Sequence, residues 1–113
     1  MPHCIIEYSA PLHAVLKPSQ LISAVYNGAF NSELFENSEI KTRVIPFDNY
    51  QSGSVKVNFI HVVTKILSGR TLAQRKLLSQ TILAELKMLN LSKTSLTVEI
   101  VEMERDSYAK VIT

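Results

Sequence analysis

Four positions in this 113-residue chain have residue types suited to chemistry on an anion: Pro2, Lys41, Arg43 and Arg70. Pro2 follows the initiator methionine and heads an apolar run, His3-Cys4-Ile5-Ile6. A small residue at position two favours removal of the methionine, which would leave a secondary amine as the new terminus. An α-amine titrates near about 8 in the open, well below a lysine. Desolvation in an apolar pocket lowers it further. An amine neutral near pH 7 is a competent general base. Lys41 and Arg43 lie two apart on a predicted strand and therefore share one face. Arg70 follows Gly69 on a loop, where a guanidinium can grip a carboxylate with two prongs.

Other residue types argue against other chemistries. Cys4 is the only cysteine, so neither an internal disulfide nor a cysteine-based metal site is expected. His3, His13 and His61 are dispersed without the spacing of a metal pair, and neither metal nor cofactor is expected. The three glycines, at 28, 53 and 69, form no phosphate-binding loop. His3 reads as packing beside the amine, His61 as a buried, hydrogen-bonded strand histidine, and His13 as a surface loop residue. Glu7 and Glu99 alternate with apolar neighbours and read as structural. Phe47 and Tyr50 suit a pocket wall or simple packing equally.

A net charge of +2 with no basic block gives no reason to expect nucleic acid as a partner. An apolar fraction of 46% with 19% charged residues describes an ordinary globular chain. The longest apolar stretch, Phe59 to Leu67, is broken by His61, Thr64 and Lys65, so no membrane span is expected. With no visible signal peptide, a cytoplasmic protein is the expectation.

The elements that must position these residues follow from periodicity. His3 to Ser9 reads as a strand, Ala10 to Lys17 as a loop, and Pro18 as the first turn of a helix carrying Leu21, Ile22, Val25 and Ala29. Ile40 to Tyr50 reads as a second strand, with Pro46 pointing to an edge or a bulge. Val57 to Leu67 is a long strand. Thr71 to Gln74 is a capping box opening a helix with an apolar stripe at Leu78, Ile82, Leu86 and Leu89. Leu96, Val98 and Ile100 mark a final strand.

The order strand, helix, strand thus occurs twice. The predicted fold is α+β: one domain over 1–113 in which two tandem β-α-β units, about 2–54 and 55–113, form a four-stranded sheet with two helices on one face. The other sheet face is expected to be apolar and to be covered by further copies of the subunit.

Pro2 at the first strand, the tandem units and the self-associating sheet resemble the tautomerase superfamily. Within it the chain is similar to the 5-carboxymethyl-2-hydroxymuconate Δ-isomerase family. The residues that carry this are Met1-Pro2-His3 with Glu7 and Ser9, Ile40 to Val44 with Asp48 and Gln51, and Phe59 to Leu72 continuing to Arg75. The resemblance implies a homotrimer that isomerises a small anionic dienol to its unsaturated 2-oxo acid, in aromatic acid breakdown. It makes Pro2 the base and Arg70 a substrate-binding residue; an exposed arginine at a helix start is the alternative for Arg70. Lys41 stands where the family typically has arginine, and reads equally as a substrate contact or a solvated strand residue. Arg43 is open between substrate binding and ion pairing at a trimer interface. A tautomerase of another 2-oxo acid, such as an arylpyruvate, and a non-catalytic trimeric binding protein with a relic pocket are the competing readings.

Overall fold

The computed structural model describes residues 1–113. Four strands, β1 (His3–Ser9), β2 (Lys41–Phe47), β3 (Asn58–Leu67) and β4 (Thr94–Met103), form one sheet in the order β2-β1-β3-β4. The outer pairs, β1 with β2 and β3 with β4, are parallel, while β1 and β3 meet antiparallel at the centre. Each parallel pair is bridged by a helix, α1 (Pro18–Asn31) or α2 (Leu72–Lys87). The two β-α-β units predicted from the sequence are therefore present, joined through their first strands.

Local chemistry explains the boundaries. Pro18 opens α1, and the Lys17 amide donates to the Gln20 side chain at 2.8 Å. At α2 the Thr71 hydroxyl accepts from the Gln74 amide at 3.1 Å and the Thr71 amide donates to Gln74 Oε1 at 2.8 Å, the predicted capping box. The second strand ends at Phe47 rather than Tyr50, because its partner β1 ends at Ser9, which pairs with Phe47. Pro46 lies on an edge strand, as its missing N–H requires. The loop predicted over 10–17 contains a short 3-10 turn, Ala10–Ala14.

Alternation along the strands sorts the core to one side. Cys4, Ile6, Tyr8, Ile60, Val62 and Ile66 are buried in one cluster with Leu21, Val25, Leu78, Ile82 and Leu86 of the helices. The helices approach closely at Gly28. A Cβ built there would lie 2.5 Å from the Ile82 Cα and 2.9 Å from the Thr81 carbonyl oxygen, so only glycine fits this crossing. No helix is long and apolar enough to cross a membrane.

The opposite sheet face is mixed rather than uniformly apolar as expected: Ile5, Ile45, Phe47, Phe59, Val63 and Val101 share it with His3, Glu7, Arg43, His61, Lys65 and Glu99. The apolar triplet Cys4-Ile5-Ile6 misleads, because strand alternation sends Cys4 and Ile6 to the helix side and only Ile5 to the open side. His61 is hydrogen-bonded as predicted but not buried. Its Nδ1 and Nε2 lie 2.6 Å from Thr97 Oγ1 and 2.6 Å from Glu99 Oε2 on that open face. His13 is exposed, with Nε2 2.6 Å from the Tyr8 hydroxyl.

Candidate active site

The site is built at one end of the sheet, where the register places His3 beside Lys41 on one side and Lys65 on the other. Pro2 continues β1 by one residue. Its carbonyl accepts the Lys41 amide at 3.1 Å, extending the parallel ladder, and its ring is fully buried. Sheet pairing thus holds Pro2 in place from its own carbonyl side.

The amine that precedes it lies in a cationic surround. The terminal nitrogen of Met1 donates to Glu39 Oε2 at 3.3 Å. Burial nonetheless holds this amine below the ordinary α-amine value of 8.0. Glu39 opposes that shift, while the charges of Lys41 and Arg70 add to it. Lys41 directs its ammonium to the Met1 sulfur at 3.0 Å and to the Glu39 carbonyl at 3.4 Å.

Arg70 stands on the loop after β3, as predicted. Gly69 makes the turn with φ of +123°, a conformation that favours glycine, and so aims the following residue back toward the N-terminus. The Arg70 guanidinium donates through Nη2 to the Leu34 carbonyl at 2.8 Å and lies over the Phe35 ring, 5.3 Å from its centroid. One edge of the fork is engaged with the segment after α1, which orients it.

Arg43 lies one ladder step further in. Its Nη1 is 3.5 Å from His3 Nδ1, it is exposed, and it makes no ion pair within the chain. The structure therefore gathers Pro2, Lys41 and Arg70 about the chain start, and sets Arg43 beside His3 on the open face. Burial, the Arg43 and Lys41 charges, the terminal amine and Lys65 hold the His3 imidazole below its ordinary 6.5.

Sequence periodicity gave no sign of the C-terminal segment. After β4 a 3-10 turn, Arg105–Ser107, folds back over this end of the sheet. Arg105 donates through its amide to Ser68 Oγ at 3.3 Å and through Nε to the Ser68 carbonyl at 3.1 Å. The Tyr108 hydroxyl is 2.8 Å from His3 Nε2. The Lys110 ammonium reaches the Met1 sulfur at 3.6 Å. An irregular segment has no periodicity to read, so only the proximity of its side chains reveals it.

The three cavities of the chain lie elsewhere. One of about 330 Å³ is between α1 and the end of α2, one of about 490 Å³ is lined by Ile22, Tyr26, Ile40 and Thr42, and one of about 390 Å³ by Leu12 and Asn90. None is lined by Pro2 or Arg70, so this chain alone does not wall in the space around them.

A mixed β2-β1-β3-β4 sheet made of two β-α-β units, with both helices on one face, is a tautomerase-like fold. The chain belongs to the 5-carboxymethyl-2-hydroxymuconate isomerase family, whose model matches residues 2–111. The crystal structure of a 5-carboxymethyl-2-hydroxymuconate delta-isomerase superposes with a TM-score of 0.82 at 18% identity, over 98% of this chain and 88% of that one. A 5-carboxymethyl-2-hydroxymuconate isomerase from Deinococcus radiodurans R1 gives 0.81 at 21% identity, over 99% and 90%. A fused 4-OT wild-type symmetric trimer gives 0.78 at 12% identity, over 95% and 89%. At these identities the likeness is one of fold. No individually curated protein matches the chain in sequence.

Proposed function

We propose that the chain, once Met1 is removed, is a homotrimeric tautomerase that converts an anionic dienol such as 5-carboxymethyl-2-hydroxymuconate to its unsaturated 2-oxo acid. The observation that carries this reading is the buried Pro2 ring at the start of β1, with Lys41 and Arg70 contributing positive charge at the chain terminus. Burial and those charges disfavour a protonated amine there. A Pro2 amine seated in this surround would have its protonated form disfavoured in the same direction, and the free amine is able to act as a base.

In the reaction the Pro2 nitrogen takes the proton of the 2-hydroxyl group. The O–H electron pair becomes the C=O bond, the conjugated double bonds shift along the chain, and the vinylogous carbon takes a proton back from the proline. Atoms and charge balance over the cycle. Arg70 holds a substrate carboxylate with the edge of its guanidinium that does not face Leu34, Lys41 supplies a second cation, and Arg43 adds positive potential from the neighbouring ladder step.

Two features support the trimer. The fold is shared with a fused 4-OT trimer, and the open sheet face carries an uncovered apolar strip at Ile5, Phe59 and Val63. A neighbouring subunit on this face would also supply the missing wall of the site. Lys41, an ammonium without a planar fork, favours a second substrate reading, a simpler 2-oxo acid such as an arylpyruvate.

The test is turnover of 2-hydroxymuconate and its 5-carboxymethyl derivative, followed by ultraviolet absorbance, on protein whose intact mass shows Met1 removed. Fast ketonisation that collapses in Pro2→Ala supports the proline base. Retained Met1 in the active protein, or unchanged rates in Pro2→Ala, would overturn it.

A further inference from the structure

We propose that Lys110, on the C-terminal segment, is a specificity-determining residue that pairs with Lys41 to hold one substrate carboxylate. This inference rests on the tautomerase reading above and extends it to a residue outside the β-α-β units.

The geometry begins at the Met1 sulfur, which takes the Lys41 ammonium at 3.0 Å and the Lys110 ammonium at 3.6 Å. Two cations from segments far apart in sequence, β2 and the C-terminal segment, thus converge on one atom, immediately ahead of Pro2. A thioether is a weak acceptor and offers them no charge. Removal of Met1 takes away the sulfur on which the two ammoniums converge. Like charges that close repel, and an anion placed between them relieves the repulsion. A carboxylate has two oxygens and accepts from each donor.

Lys110 does not reach this point by chance of a free tail. Its segment is fastened at two prior positions, Arg105 to Ser68 and Tyr108 to His3. Ser68 precedes the Gly69-Arg70 turn and His3 follows Pro2, so the segment is tied to both arms of the site. Arginine would present two N–H groups from one side chain, and Lys41 presents one point charge. Two lysines from two segments restore a two-donor grip. Glu39, which accepts from the Met1 amine, is the carboxylate within reach of that terminus, and it faces the nitrogen rather than the sulfur.

The chemistry selects for substrates that carry a carboxylate in addition to the one beside the enol. A dicarboxylic or tricarboxylic dienol engages the lysine pair, and a monocarboxylic arylpyruvate enol does not.

The experiment uses the full chain with Met1 removed, as wild type, Lys110→Gln, Lys110→Arg, Lys41→Gln and the double Gln variant. Steady-state turnover is measured with 2-hydroxymuconate and with phenylenolpyruvate, and calorimetry follows binding of cis,cis-muconate, a dicarboxylate that cannot ketonise. Lys110→Gln should raise KM for 2-hydroxymuconate and weaken muconate binding about three- to tenfold, the range for an exposed charged hydrogen bond. Its kcat and its constants for phenylenolpyruvate should stay near wild type, and Lys110→Arg should restore binding. The double variant should cost less than the product of the two single effects, since each lysine needs the other to complete the grip. Unchanged muconate affinity in Lys110→Gln overturns the inference, and does so with the tautomerase reading intact if Pro2→Ala still abolishes turnover. Absence of turnover on every enol, with muconate binding still dependent on Lys110, overturns the tautomerase reading and leaves the paired anion site. Absence of muconate binding in wild type overturns the lysine pair.

Discussion

The Lys41 amide donates to the Pro2 carbonyl at 3.1 Å, so two residues 39 positions apart in sequence are fixed as neighbours by the sheet itself. A backbone hydrogen bond sets this spacing, so substitution of either side chain leaves it in place. On that fixed backbone the Lys41 ammonium stands at the chain start, 3.0 Å from the Met1 sulfur. The same ladder continues β1 through Pro2, whose ring is fully buried.

Arg70→Ala should raise KM for dicarboxylic dienols by about tenfold or more and change kcat less, as expected for a charged hydrogen bond made in the ground state. Arg70→Lys should recover only part of this, because it keeps the charge and loses the second prong. Steady-state kinetics on the Met1-free protein check it; an unchanged KM for every anionic substrate would remove Arg70 from the site.

Gly28→Ala should destabilise the fold by about 1–3 kcal/mol, the usual cost of overpacking. The added methyl meets the backbone of Ile82 and Thr81 rather than a flexible side chain, so α1 and α2 must move apart. Thermal unfolding should show a melting temperature lower by several degrees. A melting temperature equal to wild type would mean the helix crossing is looser than described.

Val63→Asp should dissociate the proposed trimer. Val63 pairs with Ile5 in the middle of the apolar strip on the open face, and a carboxylate there would be buried without a partner by a neighbouring subunit. Light scattering at micromolar concentration should report a monomer for the variant and a trimer for the parent. Equal masses would place the subunit interface elsewhere.

The His3 imidazole should titrate below 6.5 in the native protein, and Arg43→Gln should move it upward by removing one of the charges that depress it. Nuclear magnetic resonance of the ring protons reads both. Because the folded value is the lower one, the contribution of His3 to stability is present above about 6.5 and is lost as the pH falls through the folded value. A His3 value at or above 6.5 would contradict the cationic surround.

Cys4 should resist thiol reagents at pH 8 in the native state and react on unfolding. It is fully buried, and burial pushes its thiol from 9.0 up to about 11. A raised folded value means that stability contributed by the neutral thiol is present below about pH 9 and is lost as the pH rises through about 11. Rapid native-state labelling would show that the sheet opens at Cys4.

Much of this molecule is determined locally and can be read without coordinates. Thr71 and Gln74 specify a helix start through their own backbone, Pro18 does the same for α1, and the apolar stripe through Leu78, Ile82 and Leu86 sets the buried face of α2. The alternation in β3 and β4 and the pairing of strand, helix and strand likewise follow from short-range chemistry. Long-range relationships were decided only by the tertiary structure. The packing of both helices on one face of the sheet determines which side of Cys4-Ile5-Ile6 is open, because alternation turns Cys4 and Ile6 to the helices and Ile5 away from them. His61 could be assigned hydrogen bonds from its setting, but its exposure depends on Thr97 and Glu99 arriving beside it from β4. The C-terminal segment carries no periodic signal, and Tyr108 and Lys110 join the site through contacts with His3 and Met1, residues more than a hundred positions away. A repeating pattern reports the face a residue shares with its own element; which distant charges share a small space is a property of the packed chain alone.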